Sequence, residues 1–136
     1  MENRLVREVM TRGVVTVPLG CPLTEVVQMM CRHKVHALVV VDERGEACGV
    51  ITKVDVLRHL SKDLAATPVE EVMTPRLITI SPEARLSEAV SLMLIKRVHQ
   101  LVITKDESAQ RRRPIGMLSV SDVVSALCEV TAQREG

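Results

Sequence analysis

The chain has 136 residues, about the length of one domain, and its apolar (46%) and charged (26%) fractions are close to those of globular proteins, which excludes a disordered or collagen-like chain. It contains no Phe, Tyr or Trp, so modules that stack bases on aromatic rings are excluded as well. Eighteen basic residues against seventeen acidic ones give a net charge of +1, which argues against binding to the phosphate backbone of nucleic acids.

The first half of the chain predicts the element order strand, helix, strand, strand, helix. Residues 14–17 are a short β-rich run that ends beside a proline, and the apolar runs 37–41 and 49–51 are joined by the turn-forming residues 42–45. The helix between these strands is predicted by apolar residues at helical spacing, namely Leu23, Val26, Val27 and Met30. Thr52-x-x-Asp55 has the spacing of a capping box, in which each side chain binds the backbone N–H of the other residue, and it predicts the start of the last helix.

The second half predicts the same elements in the same order. A short strand at residues 77–80 precedes two further strands around 98–102 and 116–118. The helix after the first strand is predicted by Leu86, Ala89, Val90 and Met93. Ser119-x-x-Asp122 is a second capping box, and the helix that it begins carries an apolar stripe at helical spacing, formed by Val120, Val123, Val124 and Leu127.

The two halves are copies of one unit. Val9-Met10-Thr11 recurs as Val72-Met73-Thr74, 63 residues later, and the motif from Gly49 to Asp55 recurs from Gly116 to Asp122, 67 residues later. An insertion of four residues within 105–113 accounts for the change in spacing. Self-similarity at a fixed spacing indicates a repeated structural unit. Because each copy has only about 60 residues, we expect the two to share one interface.

A duplicated strand-helix-strand-strand-helix unit, opened by V-M-T and closed by G-h-h-[ST]-x-x-D (h is an apolar residue), resembles the CBS domain pair, or Bateman module, over residues 5–127. The resemblance implies an α/β (α+β) fold in which tandem CBS motifs pack around a pseudo-twofold axis. It places motif 1 at 1–62, a connector at 63–69, motif 2 at 70–130 and a C-terminal tail at 131–136. It also implies a homodimer and a non-enzymatic regulatory function. The regulatory ligand would be an adenosine compound (AMP, ADP, ATP or S-adenosylmethionine) bound in clefts between the motifs.

Carried over to this sequence, the resemblance implies two clefts, each formed by the capping box of one copy and the first strand and histidine region of the other. Site A then combines Thr52, Asp55, Thr79, Ile80, Arg97 and His99. Site B combines Ser119, Ser121, Asp122, Thr16, Val17, Lys34 and His36. Site B is expected to be the better nucleotide site, because Ser121 adds a hydroxyl where the other copy has Val54. Members that hold AMP firmly often carry Arg directly after the histidine, where this sequence has Ala37 and Gln100.

The chemistry of these residue types suits a nucleotide. A carboxylate accepts hydrogen bonds from both ribose hydroxyls at once, and a hydroxyl beside a helix N-terminus favours phosphate oxygens. Histidine supplies a charge that changes near neutral pH, whereas Lys34 and Arg97 supply permanent charge. Because the chain has no aromatic residues, adenine is expected to lie between aliphatic side chains such as Val17 or Ile80.

Several alternatives stay open on the residues alone. Helix capping by itself explains each Ser/Thr-x-x-Asp pair, and the chain would then be a structural or protein-interaction dimerisation module with vestigial ligand sites. Residues Arg111 to Arg113 form either a solvated loop or a clamp for polyphosphate or an acidic partner, and a weaker hypothesis makes them a nucleic-acid contact. Met10 and Met73 are expected to fill gaps in the core.

We expect neither catalysis nor a required cofactor or metal. The sequence has no Walker, Rossmann, zinc-protease or serine-hydrolase motif. The four cysteines are expected to be reduced thiols, since Cys31, His33 and His36 do not have the spacing of a zinc site. The N-terminus has no apolar signal segment and the apolar runs are too short to cross a bilayer, so we expect a soluble, cytoplasmic protein. Its expected partners are an adenosine-type small molecule, a second copy and a regulated protein, not nucleic acid or membrane.

Overall fold

The computed structural model describes residues 3–74, 77–105 and 113–135, and for 132–135 it gives the backbone only. The first copy contains helix α1 (Val6–Val9), strands β1 (Thr11–Arg12) and β2 (Thr16–Pro18), helix α2 (Leu23–His33), strands β3 (Ala37–Val41) and β4 (Ala47–Thr52), and helix α3 (Lys53–Arg58). The second copy contains a 3-10 turn (Val69–Glu71), strand β5 (Thr79–Ile80), helix α4 (Leu86–Lys96), strands β6 (Gln100–Thr104) and β7 (Pro114–Ser119), and helix α5 (Val120–Glu135). The α/β class and the strand-helix-strand-strand-helix order predicted for each copy are confirmed.

The short first strand of each predicted unit is displaced from its predicted position. β2 begins at Thr16 and includes Pro18, and β5 covers only the last two residues of the predicted run 77–80. Pro18 has no N–H to donate to a neighbouring strand, but β2 lies at the edge of its sheet. An edge strand tolerates proline, and this explains why the strand extends through it.

The chain divides into two compact units. Among the described residues, the first-half unit holds 14–74 with 77 and 113, and the second-half unit holds 3–13, 78–105 and 114–135. In the first-half unit the strand order is β2-β3-β4, with β2 parallel and β4 antiparallel to β3. In the second-half unit the order is β1-β7-β6-β5, and β1 runs antiparallel to β7.

Each unit has its own aliphatic core, formed between one helix face and its sheet. In the first-half unit the buried helix face belongs to α2 and consists of Leu23, Val26 and Met30. In the second-half unit α4 buries Leu86, Ala89 and Met93. The fourth residue of each predicted stripe, Val27 or Val90, is half-buried and packs against the same core. The helical spacing therefore predicted both core faces correctly.

Helix α5 departs from its predicted apolar stripe. Val123 is buried, but Val120, Val124 and Leu127 are 41%, 63% and 45% exposed. The helix is buried instead at Val123 and Ala126, which lie three residues apart on one face. With 16 residues α5 is the longest helix in the described ranges, and none of the helices there is long and apolar enough to cross a bilayer.

The opening segment of the first copy, residues 3–13, belongs to the second-half unit. The backbone N–H of Val6 donates to the oxygen of Ala84 at 2.8 Å, and the N–H of Leu86 donates to the oxygen of Arg4 at 2.8 Å. The side chain of Val6 is fully buried in the core of that unit. The segment therefore forms part of the second-half unit through both its backbone and its side chains.

The opening segment of the second copy, residues 66–74, belongs in the same way to the first-half unit. The N–H of Val69 donates to the oxygen of Cys21 at 2.8 Å, and the N–H of Leu23 donates to the oxygen of Thr67 at 3.0 Å. Val69 is fully buried there. These four residues each lie 63 positions from their counterparts in the second-half unit, so the two copies exchange their opening segments reciprocally.

Two glycines allow the exchanged segments to approach closely. A Cβ atom at Gly116 would lie 2.6 Å from the backbone oxygen of Thr11, and one at Gly49 would lie 2.6 Å from the sulfur of Met73. Any side chain at Gly116 would therefore collide with the exchanged segment. Met10 is buried and Met73 half-buried beside these glycines, which agrees with their predicted role as gap fillers.

Candidate functional site

The capping box predicted at Thr52 and Asp55 is present at the start of α3. The backbone N–H and the hydroxyl of Thr52 both donate to Oδ2 of Asp55, at 2.8 and 2.9 Å, and the N–H of Asp55 donates to Oγ1 of Thr52 at 3.2 Å. Asp55 is half-buried. Oδ1 takes part in none of these three bonds, which leaves an acceptor oxygen on a carboxylate whose position is fixed.

The equivalent cap starts α5. The backbone N–H of Ser119 donates to Oδ2 of Asp122 at 2.9 Å, and the N–H of Asp122 donates to Oγ of Ser119 at 3.1 Å. The hydroxyl of Thr11, on β1, also donates to Oδ1 of Asp122 at 3.3 Å, a bond that has no counterpart at the other cap among the described residues. Ser121, the additional hydroxyl predicted for this site, is exposed in the first turn of α5.

The predicted cationic residues follow the helices α2 and α4. Lys34 and Arg97 end these helices in the left-handed conformation, with φ of 55° and 56°, and both are exposed. His36 and His99 come two residues later, and their side chains are exposed as well. All four side chains can therefore contact a ligand from solvent.

Each histidine is joined through its backbone to the capped helix of its own copy. The oxygen of His36 accepts from the N–H of Lys53 at 3.0 Å, and the oxygen of His99 accepts from the N–H of Val120 at 2.9 Å. Lys53 and Val120 are the first residues of α3 and α5. Within each unit the histidine and the capping box consequently lie at the same end of two paired strands, β3 with β4 or β6 with β7.

The first-strand residues of the predicted sites differ in exposure. Thr16 pairs with Val39 and is exposed, whereas Val17 is only 2% exposed and belongs to the core of the first-half unit. Thr79 and Ile80 are half-buried at the edge of the other sheet. Since the side chain of Val17 is buried in the core, Val17 has mainly its backbone to offer a ligand, and Ile80 is the more accessible aliphatic side chain.

The predicted sites A and B each draw residues from both units. Site A takes Thr52 and Asp55 from the first-half unit and its other residues from the second-half unit, and site B is composed in the converse way. The contacts within the units join Thr52 to Asp55 and Ser119 to Asp122. The pairing of the half-sites across units stays a prediction.

One cavity of about 190 Å³ lies within the second-half unit and includes Asp122. Its lining comes from the segment around α1 and from one side of α5, and consists of Arg4, Glu8, Val9, Asp122, Ser125, Ala126 and Glu129. Pockets that enclose drug-sized ligands are typically about 300 to 1,000 Å³. This cavity is therefore too small to enclose a nucleotide by itself, and it places Asp122 at the wall of an open space.

Two of the four cysteines, Cys21 and Cys48, have their thiol pKa raised by burial. Burial, together with the carboxylate of Glu25, raises the pKa of Cys21 to about 11, and burial also raises the pKa of Cys48. Both thiols are thus protonated at neutral pH. Within the described ranges no group of three or more His, Cys, Asp or Glu side chains is placed to hold a metal ion. Of the arginines 111–113, only Arg113 is described, as an exposed residue, and the other two lie outside the described residues.

Comparisons with known proteins agree with the resemblance inferred from the repeat. The family model described as "CBS domain" matches residues 6–62 and 69–129. A mitochondrial CBS domain-containing protein of Arabidopsis thaliana is 36% identical, over 76% of this chain and 51% of its own length, so the chain spans about half of that relative. The arabinose 5-phosphate isomerase of Pseudomonas aeruginosa is 30% identical over 84% of this chain, which spans 34% of the isomerase.

A solved structure shows the same fold. The crystal structure of a CBS domain pair in complex with 5′-methylthioadenosine and S-adenosyl-L-methionine superposes with a TM-score of 0.83 and covers 93% of this chain and 98% of its own. The sequence identity is 21%. The likeness therefore shows that the two chains share a fold.

Proposed function

Because the chain belongs to the CBS domain family, we propose that it is a non-enzymatic regulatory module that binds an adenosine-containing ligand in clefts between its two motifs. The ligand class is AMP, ADP, ATP or S-adenosylmethionine. Site A would use Thr52, Asp55, Thr79, Ile80, Arg97 and His99. Site B would use Ser119, Ser121, Asp122, Thr16, Val17, Lys34 and His36, with Val17 contributing its backbone.

The observation that carries this proposal is the fixed carboxylate in each copy. Asp55 and Asp122 are both held by reciprocal capping bonds, at matching positions of the repeat. A carboxylate that is already oriented can accept hydrogen bonds from a ribose diol without losing further rotational freedom. The exposed cations that precede each histidine then suit the phosphates or another polar extension of the ligand.

The solved CBS domain pair supports the choice of ligand class. It was crystallised with two adenosine compounds, S-adenosyl-L-methionine and 5′-methylthioadenosine. These two molecules share the adenosine group and differ in what extends from its ribose. The proposal for this chain accordingly specifies adenosine and leaves the extension to be identified by titration.

Occupancy would be signalled through packing. A ligand shifts a conformational equilibrium only when its affinity differs between the two states. We propose that the relevant states differ in how the motifs, or two copies of the chain in a homodimer, pack together. A regulated protein partner would then respond to that difference.

Isothermal titration calorimetry with AMP, ATP and S-adenosylmethionine tests the proposal. We expect at least one of them to bind, and Asp122→Asn to weaken binding about 10- to 100-fold, since a hydrogen bond to a charged group contributes about 1.5 to 3 kcal/mol. Asparagine keeps an oxygen that can accept from Ser119, so this substitution separates ligand contact from helix capping. Asp55→Asn tests the other cleft in the same way.

Glu43→Ala is the matched control, because Glu43 is an exposed acidic residue in the turn between β3 and β4. It should leave every affinity unchanged. Absence of heat for all three ligands, in protein shown to be folded, would contradict the proposal.

Exposed apolar side chains favour a second candidate function, a protein-interaction or dimerisation module whose clefts are vestigial. Leu94 and Ile95 are adjacent on α4 and are 74% and 76% exposed, and Leu57 and Leu60 are each 62% exposed. The two pairs lie in different units, and large exposed apolar side chains offer surface that a partner or a second copy of the chain could cover. This function requires association of the chain, seen by sedimentation, that is independent of adenosine compounds and a melting temperature that those compounds leave unmoved.

A further inference from the structure

We propose that Thr11 is a positioning residue for Asp122, which makes the opening segment of the first copy a determinant of ligand affinity in site B. The inference rests on the proposed function, because it concerns the same carboxylate. It goes beyond that function by assigning a role to a residue that lies 111 positions away in the chain.

The placement of Thr11 is fixed by the strand that carries it. Thr11 pairs with Met117 across β1 and β7, and Arg12 pairs with Gly116. The missing side chain of Gly116 admits the backbone of Thr11, since a Cβ there would lie 2.6 Å from the Thr11 oxygen. Gly13, two residues after Thr11, donates its N–H to the oxygen of Ile115 at 3.0 Å, which holds the end of the segment as well.

Asp122 is held by a residue of β7, the strand with which β1 pairs. Ser119 is the last residue of β7, and its N–H holds Oδ2 of Asp122 at 2.9 Å. The hydroxyl of Thr11 donates to the other oxygen, Oδ1, at 3.3 Å. Two donors on opposite oxygens set both the position of the carboxylate and the rotation of its plane. Each oxygen still has a lone pair for a ligand, because a carboxylate offers about four acceptor sites.

The other copy supplies an internal comparison. Thr74 occupies the position of Thr11, and its backbone makes the corresponding bonds, donating to Val50 at 2.9 Å and accepting from Val50 at 3.2 Å. Within the described part of the chain, however, the Thr74 hydroxyl makes no bond to Asp55, whose Oδ2 takes both donors of Thr52. Of the two equivalent aspartates, Asp122 receives the second bond and Asp55, in the described part of the chain, does not.

The test is calorimetric titration of the full chain with AMP, ATP and S-adenosylmethionine, comparing Thr11→Val with Thr11→Ser. Valine keeps the size and β-branching of threonine and removes the donor, whereas serine keeps the donor. We expect valine to weaken one of the two binding steps about three- to ten-fold. This is less than the effect of Asp122→Asn, because the bond that valine removes positions the carboxylate and does not contact the ligand. Serine should stay within about two-fold of the wild type. Thr74→Val is the matched control and should change neither step.

A double substitution separates positioning from a general structural effect. If Thr11 acts through Asp122, Thr11→Val should have no further effect on binding in a chain that already carries Asp122→Asn. Melting temperatures of all variants are recorded beside the affinities, and Thr11→Ala replaces Thr11→Val if the latter does not fold.

Two results would overturn the inference while leaving the proposed function intact. One is unchanged binding in Thr11→Val, and the other is a loss of affinity that is equally large with Asp122→Asn present. Absence of binding of all three ligands by the wild-type chain would overturn the proposed function and this inference together.

Discussion

Asp55 and Asp122 occupy matching positions in their copies but are constrained differently. The cap bonds to the carboxylate of Asp55 all end on one oxygen, whereas Asp122 is held at both oxygens by Ser119 and Thr11. Ordering a group before binding reduces the entropy that binding must remove. We therefore expect the two clefts to differ in affinity although their motifs are alike.

Cys21 should make the stability of the protein fall at alkaline pH. Cys21 is 5% exposed, and its thiol donates to Oε2 of Glu25 at 3.5 Å. Burial, together with this carboxylate, raises the pKa of the thiol to about 11 from an ordinary value of 9.0. Below pH 9 the thiol is protonated in both the folded and the unfolded chain. Between pH 9 and 11 mainly the unfolded chain loses the proton, so the free energy of unfolding should decrease by at most about 1.4 kcal/mol per pH unit, and by about 2 kcal/mol over the whole window.

Urea unfolding at several pH values between 8 and 11 measures this effect when Cys21→Ala is compared with Cys31→Ala. Cys31 is exposed, so Cys31→Ala should show the same alkaline loss of stability as the wild type. Between pH 9 and 11 the free energy of unfolding of Cys21→Ala should fall by about 2 kcal/mol less than that of Cys31→Ala. Equal slopes for the two variants would show that the Cys21 thiol is not held in its protonated form.

At the residue scale, the sequence predicted what depends on near neighbours. Both capping boxes were predictable because the two partners lie three residues apart, and the structure contains them. The bond from Thr11 to Asp122 was not, because it joins residues 111 positions apart and V-M-T has no pattern that indicates a partner for its threonine. The burial of Val17 was missed as well, since a strand of three residues is too short to show which face is the core side.

At the element scale, the exchanged segments depend on the glycines that receive them. Gly116→Ala should destabilise the protein by about 1 to 3 kcal/mol, because the new Cβ would lie 2.6 Å from backbone of β1 that cannot move without breaking its pairing with β7. Gly49→Ala should cost less, since its nearest neighbour is the flexible end of Met73.

Chemical denaturation of the two glycine variants measures both free energies. Ser125→Ala, on an exposed position of α5, serves as a control that should remain within about 0.5 kcal/mol of the wild type. A Gly116→Ala variant as stable as the control would mean that the segment does not pack where the structure has it.

The elements themselves were largely predictable. The apolar spacing of α2 and α4 indicated their core faces, because each helix packs against a sheet formed mainly by strands of its own copy. β1 was not predicted, since it consists of two exposed residues and exists through pairing with a strand that lies about a hundred residues later. The apolar stripe of α5 was predicted in sequence but is mostly exposed, because spacing indicates an apolar face and not what covers it.

At the scale of the whole molecule, the reciprocal exchange couples each copy to the other. Val6 and Val69 are equivalent residues, both fully buried, and each lies in the unit formed mainly by the other copy. Val6→Ala should therefore weaken the second-half unit, by about 2 kcal/mol, and Val69→Ala the first-half unit by a similar amount.

Amide hydrogen exchange resolves the two cases strand by strand. In Val6→Ala we expect lower protection in β6 and β7, and in Val69→Ala lower protection in β3 and β4. Loss of protection in β3 and β4 of the Val6 variant, with β6 and β7 unchanged, would contradict the exchange. The predicted motif boundaries, 1–62 and 70–130, stay a prediction, and the same measurements test them.

The exchange also fixes the stoichiometry of segments and units. Each unit contains the opening segment of the other copy, with Val6 buried in one unit and Val69 in the other. Because both copies lie in one polypeptide, each unit meets its segment at an effective concentration that does not fall when the protein is diluted. Within this arrangement equivalent residues have different partners, as Asp55 and Asp122 do.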